Sequence, residues 1–397
     1  MTQEIDAVVA GHICLDITPQ FRSDPRPLTE ILRPGSLVNV GPATLSTGGS
    51  APNTGFPLRR LGMNVALMGK IGLDAMGRAI LEIIRAEAPG AEEGMKTVAG
   101  QNTSYSVVLA PPGHDRTFLH CTGANDTFGT EDVDFGLVGR ARLMHFGYPP
   151  LMARTYADGG RELVEIFQKA RTAGATTSLD MAYPDPASPA GKVDWAGLLR
   201  RALPHVDVFT PGAEELLFML RRGRHDELAA AGGVLDGIDG TLLSDLGGLC
   251  IEAGAGVVMI KCGRQGLYLR TAGRGRLERL GRGKPDDLSS WINRELFEPS
   301  YQVERVVSAT GAGDCATAGF LAAMLRNCPA ADAVRTACAA GAQNVTAADA
   351  VSGVRSWPET AEQVRARPPK AKTDILLPRF RYDAAQEHFV GPRDGAA

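Results

Sequence analysis

Short apolar runs recur along the chain at Ala7 to Ala10, Val65 to Met68, Val107 to Ala110, Leu143 to Phe146, Thr176 to Leu179, Val206 to Phe209 and Val257 to Ile260. Between several of them lie stretches whose apolar positions return every three or four residues: Met76 to Ala88, Tyr156 to Ala173 and Glu214 to Arg222. Apolar strands alternating with amphipathic helices predict a mostly parallel sheet covered by helices on both faces, an α/β architecture.

Two regions break the alternation. Thr18 to Thr47 and Gly100 to His120 are rich in turn residues and alternating polarity and lack a long helix. They are expected to form a small, separate β-sheet. From Thr271 to Glu304 the chain is charged and Gly-rich, and a short helix is expected around Trp291 to Phe297. The basic run from Arg274 to Lys284 reads as a solvated surface insertion in preference to a polyanion patch. After Trp357 the chain turns Pro- and charge-rich, so residues 1–362 are expected to form the main domain and 363–397 a peripheral tail.

Composition narrows the partners. A chain of 397 residues with 44% apolar content can bury a large core. Its net charge of −3 lacks the basic excess that holds a nucleic-acid backbone, so a small molecule is the expected partner. The seven cysteines are scattered and never in a C-x-x-C pair, which argues against a disulfide framework and a structural zinc site and reads as free thiols in a reducing compartment. No basic n-region opens the chain and no segment approaches eighteen uninterrupted apolar residues. A cytoplasmic protein with no membrane span is expected, and the sequons at Asn102, Asn125 and Asn344 are then chance matches.

The most informative stretch is Ser308-Ala-Thr-Gly-Ala-Gly-Asp314, because small and helix-forming residues follow it without interruption. Gly311, Ala312 and Gly313 therefore sit at a helix N-terminus, where free N–H groups and the helix dipole hold an anion at close approach. Asp314, in the first turn, reads equally as a dipole-stabilising residue or as a catalytic base. A second cluster, Thr47-Gly-Gly-Ser-Ala-Pro-Asn53, pairs glycines that admit a ligand with an amide that recognises hydroxyls. Gly69-Lys-Ile-Gly-Leu-Asp74 is not a Walker A loop, since its glycine spacing is wrong and no Ser or Thr follows Lys70. No Gly-x-Gly-x-x-Gly opens the first helix, so a nicotinamide-dependent dehydrogenase is not expected either.

Taken together and in this order, the two clusters resemble the two signature regions of the PfkB carbohydrate kinase family, ribokinase-like enzymes acting on sugars, nucleosides and related alcohols. The similarity extends over roughly residues 5–355, through Gly11 to Asp16, Thr103 to Arg116, Asp180, Pro211 to Glu215 and Lys261 to Gly266. The resemblance implies a three-layer α/β sandwich with a small β-sheet lid, here about 18–47 and 100–120, and ATP with Mg²⁺ as cofactors. It implies Asp314 as base, Gly311 to Gly313 as anion hole, and Asp16, Gly48, Gly49, Asn53 and Arg116 on the acceptor. Lys261, Gly263, Gly266 and Thr310 would line the nucleotide site, and Glu215 would support the metal through water.

Departures from the family pattern stand at three of these positions. Gly212 replaces the asparagine of the Asn-x-x-Glu motif, which leaves magnesium placement less defined. Lys261 stands where a threonine or similar small residue is common. Ser308 replaces an aspartate that helps bind a monovalent cation in several relatives, so potassium activation is expected to be weak or absent. Asp180, at a strand end, is expected near phosphate or metal, whereas His12, His120 and His145 read as packed or hydrogen-bonded. A sugar acceptor is favoured; Phe118, Phe128 and Tyr148 keep a nucleoside as the alternative. A non-catalytic sugar-binding protein is disfavoured by the intact Gly-Ala-Gly-Asp run. The lid's inner face needs a cover, which points to acceptor, to the domain below or to a homodimer through the lid.

Overall fold

The computed structural model describes residues 5–22, 26, 28–112 and 116–395. Its fifteen strands are β1 Ile5–Gly11, β2 Cys14–Pro19, β3 Ala43–Gly48, β4 Val65–Gly72, β5 Gly94–Val98, β6 Tyr105–Leu109, β7 Thr117–Cys121, β8 Ala141–Gly147, β9 Thr176–Asp180, β10 Val208–Phe209, β11 Val257–Lys261, β12 Gly266–Thr271, β13 Glu295–Pro299, β14 Arg381–Asp383 and β15 His388–Val390. Eleven of them form one sheet in the order β14-β15-β13-β12-β11-β10-β9-β8-β1-β4-β5. From β5 to β11 every pairing is parallel, and β12, β13, β15 and β14 extend the edge in antiparallel fashion.

The sheet is covered on both faces because its strands bury both sets of side chains. Val8 and Ala10 pack into one hydrophobic cluster with Phe146, Phe167, Trp195 and Leu246. Ala7 and Val9, pointing the other way, join Phe56, Leu58, Trp291 and Phe320 in a second cluster. That period of two, apolar on both faces, is why the strands read as unbroken apolar runs. Helices Ser50–Arg60, Ala75–Glu87, Ala312–Leu325 and Ala330–Asn344 belong to the second cluster's side, and Arg161–Thr172, Trp195–Ala202, Ala213–Leu220 and Gly240–Glu252 to the first.

The two helix-poor regions come together as expected, in a four-stranded sheet ordered β3-β2-β6-β7. The register places Ser46, Asp16, Ser106 and His120 in one row and Leu45, Ile17, Val107 and Leu119 in the next, so one face is polar and the other apolar. Gly113, His114 and Asp115, in the expected hairpin, lie outside the described residues.

Elsewhere the structure corrects the reading. Glu295–Pro299 is strand β13, not the end of a helix, because Leu296 and Phe297 are buried on opposite faces between β12 and β15. Trp291 lies in a turn before it, with its ring edge-on to Phe320 at 5.8 Å. The basic run does lie at the surface, with Arg274, Arg279, Arg282 and Lys284 exposed, but Arg276 pairs with the buried Asp207 at 2.9 Å and Arg282 donates to the carbonyls of Ala141 and Ala173. The final segment adds β14 and β15 to the main sheet.

The seven cysteines are free. Asn125 and Asn344 are fully buried. Among the described residues no helix is long and apolar enough to cross a membrane.

Candidate active site

Parallel strands deliver their C-terminal residues to one edge of the sheet, where ligands bind in open α/β folds. Tyr148 follows β8, Asp180 ends β9 and Lys261 ends β11. Facing them is the N-terminus of the helix Ala312–Leu325, whose cap is Gly311. Gly311 takes a left-handed φ of +73°, and a Cβ there would stand 2.0 Å from the Ala350 carbonyl oxygen. Only glycine fits that position. Gly313, one turn-step on, is different: its Cβ would meet only the Lys261 side chain, at 3.5–3.7 Å. A small side chain at Gly313 would therefore rest on Lys261 without a clash.

Asp314 is 3% exposed and held from two sides. The Tyr148 hydroxyl lies 2.7 Å from each of its carboxylate oxygens, and the Asn53 amide donates to Oδ2 at 3.4 Å. Burial, reinforced by the negative charge of Asp180, pushes its carboxyl up to about 7 against the opposing pull of Lys261, Tyr148 and Asn53. The Lys261 ammonium sits 2.6 and 2.7 Å from the two oxygens of Asp180. Burial works against its charge, but Asp180, Glu215 and Asp314 outweigh burial and raise its basicity. Burial likewise raises Glu215, whose Oε2 accepts from the Gly212 N–H at 2.7 Å.

Two buried carboxylates and the half-buried Glu215 thus face one ammonium. That excess of hard oxygen ligands suits a hydrated Mg²⁺ held with phosphate, with Asp180, Glu215 and Asp314 as the available donors. Asn53 Oδ1 is buried without a hydrogen-bond partner, an acceptor free for a ligand hydroxyl.

The remaining sequence-predicted residues fall on the same side or on the loops leading to it. Asp16 lies on the polar row of the lid, close to Gly48, where a Cβ would stand 2.3 Å from its Oδ2. Burial raises its carboxyl. Gly49 takes a φ of +95° and packs on the backbone of His12. Arg116 reaches from the lid to donate to Ser308 Oγ at 3.0 Å, and Ser308 Oγ accepts from the Thr310 N–H at 3.2 Å. Gly263 and Gly266 occupy the turn between β11 and β12.

Sequence reasoning missed Tyr148 as the partner of Asp314, reading it only as a ring for stacking. A signal existed: Gly147-Tyr148-Pro149-Pro150 directly follows a parallel strand, at the ligand-binding edge. Tyr148 has a φ of +65°, unusual for a residue with a side chain and a mark of a position held by its surroundings. Nor did it foresee that His12 and His120, 108 residues apart, would face each other.

A doubly covered α/β sheet, a polar lid, and a buried carboxylate at a glycine-capped helix N-terminus define a small-molecule kinase. The chain belongs to the pfkB family of carbohydrate kinases, whose family model matches residues 11–357. It is 25% identical over 342 residues to 2-dehydro-3-deoxygluconokinase of Bacillus subtilis (strain 168), covering 84% of this chain and 91% of that relative. Among solved structures, Arabidopsis thaliana ribokinase complexed with ribose and ATP superposes with a TM-score of 0.66 at 17% identity, covering 91% of this chain and 99% of that one. A putative ribokinase II from E. coli, in complex with ATP and Mg²⁺, gives 0.63 at 17%, covering 91% and 100%. The protein is an ATP-dependent carbohydrate kinase of this family.

Two predictions concern stability. Because Asp314 has a higher pKa folded than unfolded, the folded state binds more protons between about pH 4 and 7, and stability falls as pH rises through that window. Asp314→Asn, which keeps Tyr148 and Asn53 as neighbours, should therefore be more stable than the parent at pH 8, by up to about 4 kcal/mol, with the difference shrinking toward pH 4. Denaturant melts at several pH values check this, and an equal effect at all pH values would contradict the burial argument. Gly311→Ala should lose at least about 2 kcal/mol through backbone strain and the clash with Ala350, whereas Gly313→Ala should melt within about 1 kcal/mol of the parent.

Proposed function

We propose that the chain transfers the γ-phosphoryl group of ATP to a hydroxyl of a sugar or sugar-like molecule, with Asp314 as the base. The observation that carries this reading is the placement of Asp314: buried, gripped by Tyr148 and Asn53, and brought to about 7, where it both accepts and releases a proton at physiological pH. ATP and Mg²⁺ supply the phosphoryl group and the neutralisation of its charge. Gly311 and Gly313 at the helix N-terminus offer their N–H groups to that phosphoryl group, whereas the Ala312 N–H, expected to join them, is engaged by the Ala309 carbonyl at 3.3 Å. Asp16, Asn53 and the Gly48-Gly49 backbone orient the acceptor, with Arg116 closing from the lid. Lys261, Thr310, Gly263 and Gly266 serve the nucleotide side, and Glu215 supports the metal through water.

A sugar fits better than a nucleoside. Phe128 is wholly buried against Phe146, and the Tyr148 hydroxyl is engaged by Asp314, which leaves Phe118 as the one exposed ring of the three considered. The Arg116 guanidinium beside Ser308 puts a fixed positive charge where relatives place an aspartate for a monovalent cation. Turnover in potassium and in sodium salts at equal ionic strength should agree within about twofold, since no anionic side chain stands at Ser308 to reward the ion. A cytoplasmic setting suits the free thiols.

The lid also points to a second subunit. Its apolar row carries Leu45 and Leu119 at 50% and 56% exposure, on the face away from Asp16. A second copy of this chain meeting the same row would bury both, since a two-fold contact pairs like with like. Leu45→Lys with Leu119→Lys should halve the mass seen by sedimentation; an unchanged mass would remove the lid from the interface.

The acceptor is found by measuring ATP consumption over a panel of sugars and nucleosides. With the best acceptor, kcat/KM should rise with unit slope as pH increases up to about 7 and level off above, because the ionised base is the active form. Asp314→Asn should lower kcat by roughly 100-fold or more. Near-normal turnover in that variant would sink the assignment.

A further inference from the structure

Where the lid joins the main domain, three metal-binding side chains converge that the phosphoryl-transfer chemistry does not use. His12 follows β1 in the main sheet, Cys14 opens β2 at the base of the lid, and His120 lies on the lid's outer strand β7. Their donor atoms all lie within 4.8 Å of one another. The two imidazole Nε2 atoms are 3.3 Å apart. In a tetrahedral site with Zn–N bonds of 2.0–2.1 Å the edge between two nitrogens is about 3.3 Å, so the imidazoles already stand at the spacing such an ion imposes.

We propose that His12, Cys14 and His120 form a binding site for a borderline-soft divalent ion such as Zn²⁺, and that its occupancy pins the lid to the main sheet. The donor set selects the ion: two imidazoles and a thiolate favour Zn²⁺ over the hard Mg²⁺ that phosphate and carboxylates take. Three protein ligands leave a fourth position open, as in sites that exchange ligands rather than purely structural ones.

His120 is oriented by a 3.0 Å contact between its Nδ1 and Ser106 Oγ, an arrangement that leaves Nε2 for the ion. The Cys14 thiol donates to Asp16 Oδ1 at 3.3 Å, and coordination forms the S–metal bond as this one proton leaves to solvent.

Cobalt supplies the probe. The full chain, stripped of divalent metal with a chelator, is titrated with Co²⁺, and one equivalent should produce a thiolate-to-cobalt absorption with tetrahedral d–d bands. Cys14→Ser retains a donor to Asp16, and His120→Ala changes an exposed residue on an edge strand, so both should fold. Each should lose the thiolate band or weaken binding at least about tenfold, whereas Cys121→Ser, next to His120, should not. Zn²⁺ should slow amide exchange in β6 and β7 at least about tenfold in the parent chain and leave it unchanged in Cys14→Ser. No thiolate band, or a band that survives Cys14→Ser, would overturn the site. A band as expected with unaltered exchange in β6 and β7 would overturn the pinning of the lid.

Discussion

The fold is organised around a group of charges that water would otherwise stabilise better. Asp180, Glu215 and Asp314 are withdrawn from solvent with Lys261 as the single ammonium among them. Removing a carboxylate from water costs several kcal/mol unless its charge is answered, and Lys261 answers Asp180 directly, at 2.6 and 2.7 Å. Asp314 receives only the remainder. It is left with hydrogen bonds from a phenol and an amide, which orient it without fully stabilising its charge. Strands β8, β9 and β11 and the helix Ala312–Leu325 have to meet at one edge for this balance to exist, so the sheet order and the acidity of Asp314 are parts of one arrangement.

How much of this was legible depends on whether the determinant is local. The strand pattern was, because Ala7, Val8, Val9 and Ala10 are each fully buried and their apolar character is written in consecutive positions. The helix beginning at Ala312 was, because two glycines precede an unbroken helix-forming run. Trp291 to Phe297 misled: the helix expected there is a turn at Trp291 followed by strand β13. What decided the strand instead was pairing with β12 and β15, the latter contributed from nearly a hundred residues further on.

The site divides in the same way. Asp314, Asn53 and Gly49 stand in short runs whose residue types announce a ligand. The pairings that set their chemistry do not: Tyr148 meets Asp314 across 166 residues, and Lys261 meets Asp180 across 81. A single sequence carries no mark of such contacts beyond the rule that strand ends on one edge of a parallel sheet converge. Gly212, in place of an asparagine, was visible as a departure, and its N–H still binds Glu215, so the helix cap is kept while the side-chain amide is lost.

The helix that carries Asp314 is buried continuously from Asp314 to Leu325, with no face left to solvent. Its neighbours on every side are core, and its amides open only when the core does. The lid, by contrast, has half-exposed strands and two free edges. A substitution that moves Asp314 therefore disturbs the core around it, whereas one on β2, β3, β6 or β7 disturbs only the small sheet.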